Sequence, residues 1–212
     1  AAALLNAARD GRSDGMACFE SPFDGTVFPP DLAPPAFAWR AADLGVERWL
    51  LAAEFADGGA PLTVFTDAPA WRPGRRTWRR FVARCGAGPA TVTALGLSGG
   101  GRGADVLCAA TVRVSVSRHP VGAPIFYREV NLPFRDAVKD PSRIRWRFGE
   151  ISSREQPPVV LEKLPVCGNC HSFSTDGKVL GMDVDYANDK GSYAIADLAA
   201  EMTLDRDDVI TW

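Results

Sequence analysis

Apolar and polar residues alternate in several short runs over the first half of the chain. The clearest runs are residues 37–39, 48–55, 62–66, 90–97 and 108–116. Alternation with a period of two is typical of strands with one buried face, and turn residues separate these runs. The glycine-rich segment 99–103 joins the last two runs, which predicts an antiparallel hairpin. Turn-separated strands over this length predict an immunoglobulin or fibronectin type III-like β-sandwich over residues 21–118.

The rest of the chain has weaker periodicity. Residues 1–20 are interpreted as an N-terminal arm with a helix over residues 2–9. Residues 119–165 are rich in aromatic side chains but poor in regular alternation, which predicts an extended connecting segment. Residues 166–212 are expected to contain a β-hairpin that follows a Ser-x-Asp-Gly-Lys turn. The predicted fold class is therefore mainly β.

One segment of the predicted sandwich breaks the strand pattern. Residues 71–82 place arginines at intervals that fall on one helical face, with Trp78, Phe81 and Val82 elsewhere on the helix. These arginines are Arg72, Arg75, Arg76, Arg79 and Arg80. They are interpreted either as a docking patch or as a solvated helix face. The patch would face an acidic partner, an anionic membrane surface or the acidic C-terminal part of the chain itself.

The overall charge is close to balanced, with a formal net charge of −2, so the chain is not a generally basic nucleic-acid binder. The charge is unevenly distributed, because three cations and nine acids give residues 166–212 a net charge of −6. An acidic end beside a basic body favours an oriented docking partner. No apolar run approaches the roughly 20 residues that span a bilayer. The opening residues also lack the basic start of a signal peptide.

The most specific motif in the chain is C-x-x-C-H, formed by Cys167, Cys170 and His171. This is the attachment pattern of a c-type haem: the two thiols bond the porphyrin vinyl groups, and the adjacent imidazole binds iron. Half of a zinc site and a thioredoxin-like dithiol are the alternatives. The chain shows no second C-x-x-C for zinc, and the motif lacks the strand-to-helix context of a thioredoxin. We therefore predict one covalent haem c.

Three further cysteines, Cys18, Cys85 and Cys108, lie outside the motif. One disulfide among them would leave one thiol over, and the sequence does not select the pair. Cys18 as a lipid-anchor cysteine is a further alternative, although no long apolar stretch precedes it.

The sixth iron ligand is predicted to be Met182, with Met202, His119 or no residue as alternatives. Met182 follows the motif after a turn, in a strand that returns toward it. A methionine in a strand also has an ordinary use as a core side chain, and that interpretation stays open.

Oxygen-bearing side chains are dense shortly after Met182. Asp183, Asp185, Asn188 and Asp189 carry the ligand atoms that Ca²⁺ prefers. The alternative is a polar turn whose acids cap backbone groups.

A family resemblance is carried by several segments of the chain. They are residues 121–128 (VGAPIFYR), the motif and its continuation to Phe173, the turn at 176–178, residues 182–183 and residues 188–193 (NDKGSY). They resemble a family of exported bacterial proteins in which C-x-x-C-H lies between a sandwich-like region and a TolB-like β-propeller. The resemblance implies a propeller of which only the first blade is present here. It also implies a periplasmic or other extracytoplasmic location, which agrees with haem c attachment outside the bacterial cytoplasm.

Three functions follow as hypotheses. The first is a monohaem cytochrome that acts as an electron carrier or as a subunit of a membrane-associated electron-transfer complex. The second is a structural or interaction subunit whose haem has little redox role. The third, a haem enzyme, is disfavoured. His119 is the only histidine besides His171, so the chain offers almost no candidate for a distal acid-base histidine. We therefore expect a redox protein partner and no enzymatic activity.

Overall fold

The computed structural model describes residues 2–9, 15–42, 44–99, 104–164, 168–186 and 189–211. These residues form a mainly β fold that divides into two compact units, residues 1–122 and 123–212. The unit boundary falls close to the expected end of the sandwich at residue 118. The segment after it differs from the expected connector, because it forms strands that belong to the second unit.

The described part of the first unit contains an eight-stranded sheet and two α-helices. Its helices are α1 (Ala2–Arg9) and α2 (Arg75–Arg84). Its strands are β1 (Gly15–Ser21), β2 (Thr26–Phe28), β3 (Phe37–Ala41), β4 (Arg48–Phe55), β5 (Leu62–Thr66), β6 (Ala70–Trp71), β7 (Ala90–Ser98) and β8 (Asp105–Val116). The strand order is β5-β4-β7-β8-β1-β3-β6, and β2 pairs in parallel with β8.

The sheet register follows the alternation in the sequence. Strands β7 and β8 pair antiparallel, which confirms the predicted hairpin, and the turn residues 100–103 lie outside the described residues. Alternate residues of β4, Trp49, Leu51 and Ala53, enter the main core together with Trp78 and Phe81 of α2. The intervening residues of β4 and β7 form a second apolar cluster with Leu5 of α1. Helix α1 therefore covers the outer face of the sheet, which is why β4 is buried on both faces.

The arm expected over residues 1–20 is part of this unit. Its helix over residues 2–9 is present, and residues 15–21 form β1, which pairs antiparallel with β3 through Ala17, Cys18 and Phe19. Cys18, Cys85 and Cys108 are all free thiols, so none of the disulfides considered among them is formed. Burial raises the pKa of Cys85 to about 11, which keeps this thiol protonated at neutral pH.

The second unit combines two sheets around one core. Three strands, β9 (Ile125–Glu129), β10 (Arg145–Gly149) and β11 (Val159–Leu161), pair in the order β11-β10-β9, and helix α3 (Phe134–Lys139) lies between β9 and β10 in sequence. Four strands, β12 (Gly168–Phe173), β13 (Val179–Tyr186), β14 (Asp189–Asp197) and β15 (Val209–Ile210), pair in that order. Core residues come from both sheets, including Trp146, Leu161, Leu180 and Met182.

The Ser-x-Asp-Gly-Lys turn leads into β13 as the sequence predicts. Ser174 Oγ donates to Asp176 Oδ1 at 2.6 Å and accepts from the backbone N–H of Lys178 at 3.1 Å. Gly177 has a φ of 69°, a conformation that favours glycine. Strand β14 then pairs antiparallel with β13, as expected for the hairpin.

Candidate functional site

The second half of the C-x-x-C-H motif lies on β12, an edge strand of the four-stranded sheet. Cys170 is a free, exposed thiol, and the His171 side chain is exposed as well. Cys167 lies outside the described residues, together with Pro165 and Val166. An edge strand leaves one side of the motif without a neighbouring strand, so a bulky group has room to approach there.

The pairing of β12 with β13 is irregular at the motif. Gly168 pairs with Val184 and His171 pairs with Met182, so β12 has one more residue than β13 between these pairs. In a regular strand, consecutive side chains such as those of Cys170 and His171 point to opposite faces. A bulge breaks this alternation and re-aims side chains, which is why bulges are frequent beside functional sites.

Three aromatic side chains surround the His171 ring. Its centroid lies 4.9 Å from that of Phe126, 5.0 Å from Trp146 and 6.0 Å from Phe173, each in an edge-on arrangement. Phe126 and Trp146 stack on each other at 5.1 Å. Edge-on aromatic contacts are favourable and directional, so they restrict the orientation of the imidazole while it stays accessible.

Arg128 holds the residues between the two motif cysteines. Its Nη1 donates to the carbonyl oxygen of Gly168 at 2.7 Å and to Asn169 Oδ1 at 2.7 Å. Hydrogen bonds from a charged donor are about twice as strong as neutral ones. A single guanidinium group therefore fixes both the backbone and a side chain at the start of β12, directly after Cys167.

The contacts to the motif come from one face of the β9–β10 ribbon. Phe126 pairs with Phe148 and Arg128 pairs with Trp146, which places these four side chains on the same face. The opposite face carries Glu129 between Arg145 and Arg147, each of which donates a hydrogen bond to its carboxylate. The hydrogen bond from Arg147, followed by that from Arg145, lowers the pKa of Glu129. The ribbon thus presents a motif-binding face of three aromatic side chains and Arg128, and an opposite face on which Glu129 pairs with two arginines.

Gly168 packs against the core below the motif. A Cβ atom at this position would lie 2.5 Å from Met182 Sδ and 3.2 Å from Leu164 Cδ1. Contacts this short are not tolerated without movement of the neighbours. A side chain at this position would therefore displace Met182 in the core.

We expect Gly168→Ala to lower the free energy of unfolding by about 1–3 kcal/mol, because the added methyl group overpacks the site at Met182. Urea unfolding measures this change. Met182→Ala supplies the control, since it removes the atoms that the new methyl group meets. Met182→Ala should lower the free energy of unfolding less in the Gly168→Ala variant than in the unaltered protein. Fully additive costs would show that the two positions do not compete for the same space.

Two of the candidates for the sixth iron ligand, Met182 and Met202, belong to the same apolar core of the second unit. Met182 is fully buried in the core of the second unit, directly opposite His171 on the neighbouring strand. Directly paired residues have Cβ atoms about 4.5–5.5 Å apart, so a porphyrin could separate the two side chains only if the strands or Met182 moved. Met202 lines an apolar groove of about 550 Å³ together with Phe126 and Phe148. His119 belongs to the first unit. Coordination by Met182 stays a prediction, and its burial favours the alternative role in the core.

The oxygen-bearing residues considered for Ca²⁺ are only partly described. Asp183 and Asp185 lie on β13, whereas Asn188 and the side chain of Asp189 lie outside the described residues. Within the described part of the chain, no group of three or more His, Cys, Asp or Glu side chains could hold a metal ion. Binding of Ca²⁺ by these four residues stays a prediction.

The arginine-rich segment is helical, as predicted, from Arg75 onward. Trp78 and Phe81 of α2 are buried in the main core, so the arginines occupy the exposed side. All five are exposed: Arg72, Arg75, Arg76, Arg79 and Arg80. Arg84, the last residue of α2, instead forms a two-point ion pair with Asp57 and lies over the ring of Phe55. This arrangement leaves a basic surface on one side of the helix.

The described motif residues fit a covalently bound haem in their chemistry. Cys170 offers a thiol that is neither buried nor bridged, and His171 offers an imidazole whose orientation is restricted by aromatic contacts. These are the thioether and proximal ligand groups that haem c requires.

In the described ranges, no helix is long and apolar enough to cross a bilayer.

No protein-family model and no curated protein sequence matches the chain. The family resemblance therefore rests on the quoted residues alone, and its implications for cofactor, location and partner stay predictions.

Sequence reasoning did not identify Phe126, Arg128 and Trp146 as residues of the site. The sequence does place Phe126 and Arg128 two residues apart, and Trp146 and Phe148 two residues apart, which is the spacing of side chains on one face of a strand. These strands are only five residues long each, and a helix separates them in sequence. Their pairing with each other, which forms the motif-binding face, is a tertiary feature.

Proposed function

We propose that this chain carries one haem c, bound through Cys167 and Cys170 with His171 as the proximal iron ligand, and that it acts in extracytoplasmic electron transfer. The setting of Cys170 and His171 carries the proposal. Both side chains are exposed on an edge strand, the thiol is free, and aromatic rings flank the imidazole. An unbridged thiol and an accessible imidazole are what covalent attachment needs.

When bound, the haem would supply one-electron redox chemistry. The residues of the chain would provide attachment, orientation and electrostatics. Arg128 holds the residues between the cysteines through Gly168 and Asn169. Phe126 and Trp146 contact the His171 ring, and the environment of an axial ligand influences the redox potential.

The first unit is proposed to be an immunoglobulin or fibronectin type III-like sandwich. The order β5-β4-β7-β8 supports this, because it corresponds to C′-C-F-G in such domains. The antiparallel order β1-β3-β6 corresponds in the same way to A-B-E. In this scheme α2 lies in the connection between strands E and F. The unit would serve as a scaffold and a docking module rather than as a reaction centre.

A periplasmic or other extracytoplasmic location follows from the haem c proposal and from the family resemblance. The partner is proposed to be a redox protein or a membrane-bound electron-transfer complex, and no nucleic acid is expected. The exposed arginines of α2 are proposed to face an acidic partner or an anionic membrane surface. Their mutual proximity supports this, because clustered like charges produce a directional field.

Covalent attachment is tested on protein produced in a host that attaches haem c. The pyridine haemochrome spectrum should be that of a haem with saturated vinyl groups, and acid-acetone should not extract the haem. Cys170→Ala should weaken haem retention, and the double change with Cys167→Ala should abolish it. Cys18→Ala removes an exposed free thiol outside the motif and should leave haem content unchanged. Quantitative extraction of haem from the unaltered protein would refute the proposal.

The alternative is a structural or interaction subunit whose haem has little redox role. A midpoint titration of the reduced-minus-oxidised spectrum separates the two functions. An electron-transfer role predicts reversible oxidation within the range of periplasmic carriers. A haem that keeps one oxidation state throughout that range would favour the structural role.

A further inference from the structure

A cavity of about 200 Å³ opens in the first unit, between the sheet and α2. Its walls are the inner faces of β4 and β5, the end of β6 and one side of α2. Apolar side chains form most of the lining: Leu51, Ala53, Leu62, Val64, Trp71 and Val92. Leu62, Val64 and Trp71 are only partly buried, so the core of this unit is accessible from outside at this edge.

The polar groups of the cavity carry no negative charge. Thr63, Thr77 and Arg80 complete the lining, and no acidic residue contributes to it. Thr77 and Arg80 are three positions apart on α2, so they lie on the same side of the helix. Among the described residues, Arg80 has no ion-pair or hydrogen-bond partner for its guanidinium group, whereas Arg84, one turn further along, is paired with Asp57.

We propose that this cavity binds a small amphipathic carboxylate, with its apolar body between the sheet and α2 and its carboxylate on Arg80. The apolar lining favours burial of a hydrocarbon body. The guanidinium group matches a carboxylate through two parallel hydrogen bonds. The neighbouring Arg76 and Arg79 add a positive field, which favours an anion over a neutral or cationic ligand.

The cavity volume limits the size of the ligand. An apolar cavity of about 150 Å³ holds benzene, and drug-sized ligands occupy about 300–1,000 Å³. A volume of about 200 Å³ therefore fits a single short acyl chain or one aromatic ring, and it excludes a two-chain lipid. The proposal concerns the first unit alone and does not depend on the haem.

The test uses three probes with the same apolar chain: octanoate, octanol and octylamine, each below its aggregation concentration. Binding to the full chain is followed by amide chemical shifts in NMR spectra. Octanoate should shift the amides of Thr63 and Thr77 and bind about tenfold more tightly than octanol, because it adds a charge-assisted bidentate contact. Octylamine should bind more weakly than octanol. Equal affinity for all three probes, or shifts elsewhere only, would overturn the proposal.

Two variants and one control locate the site. Arg80→Gln should lower octanoate affinity about tenfold, to that of octanol, and leave octanol binding unchanged. Arg79→Gln is the matched control, since Arg79 is an exposed neighbour that does not line the cavity. Val64→Phe should block both ligands, because Val64 is a half-buried lining residue on the edge strand. Equal losses in Arg79→Gln and Arg80→Gln would assign the effect to the general field of α2 and refute the specific site.

Discussion

Met182→Ala is expected to lower the free energy of unfolding by about 2–5 kcal/mol, because it leaves a cavity in a fully buried site. Met182 lies in the core of the second unit with Trp146, Leu161 and Leu180. Its position opposite His171 means that the cavity would open directly beneath the motif. Chemical denaturation of the haem-loaded protein, monitored by circular dichroism, measures the loss.

A second substitution at Met182 tests whether this residue is the sixth iron ligand. Met182→Leu preserves the volume, so it should cost less than about 1.5 kcal/mol while removing the thioether. If Met182 binds iron, this variant should lose the weak far-red absorption of a ferric His/Met haem and shift the midpoint potential. An unchanged spectrum and potential in Met182→Leu would limit Met182 to the core. Met202→Leu then tests the second candidate in the same way.

The sequence predicts the first unit well, because local rules determine its strands. The predicted strands over residues 48–55 and 62–66 coincide with β4 and β5. In β4 the odd-numbered residues from Trp49 to Phe55 enter the main core, and Leu50 and Ala52 pack on the other face. The alternation alone could not show that both faces of β4 are covered, because the covering element is α1, which lies far away in sequence.

The second unit is harder to predict from sequence. Residues 119–165 lack a long alternating run, since β9, β10 and β11 are short and are separated by loops and by α3. These short strands are stabilised by tertiary packing. Trp146 of β10 and Leu161 of β11 lie in the same core as residues of β13. A segment that was expected to be an extended connector is instead half of the unit that holds the motif.

The motif itself could be identified without a structure, but its supporting contacts could not. The C-x-x-C-H spacing follows from haem chemistry, which is independent of fold. The bulge between Gly168 and His171 depends on register with β13, and the Arg128 contacts depend on the position of β9. Gly168 lies in β12, and Met182 Sδ occupies the space that a side chain at this position would need.

Arg128→Met is expected to reduce both stability and haem attachment. The substitution keeps an apolar stem but removes the donor to Gly168 O and Asn169 Oδ1. Each lost hydrogen bond from a charged group lowers the free energy of unfolding by about 1.5–3 kcal/mol. Arg128 is half-buried, so water that replaces its guanidinium group reduces this loss. With the start of β12 no longer held, the yield of covalent haem should fall. The midpoint potential should also decrease, since a nearby cation stabilises the electron-rich reduced state.

Arg128→Lys and Arg145→Gln separate the contributions of Arg128. Lysine keeps the charge without the planar donor group, so it should restore the potential more fully than the haem yield. Arg145 lies on the opposite face of the same ribbon and contacts Glu129, so Arg145→Gln removes an arginine without touching the motif. Haem yield and potential should be unchanged in that control. If Arg128→Met lowers stability but alters neither haem yield nor potential, then Arg128 supports the fold and does not position the motif.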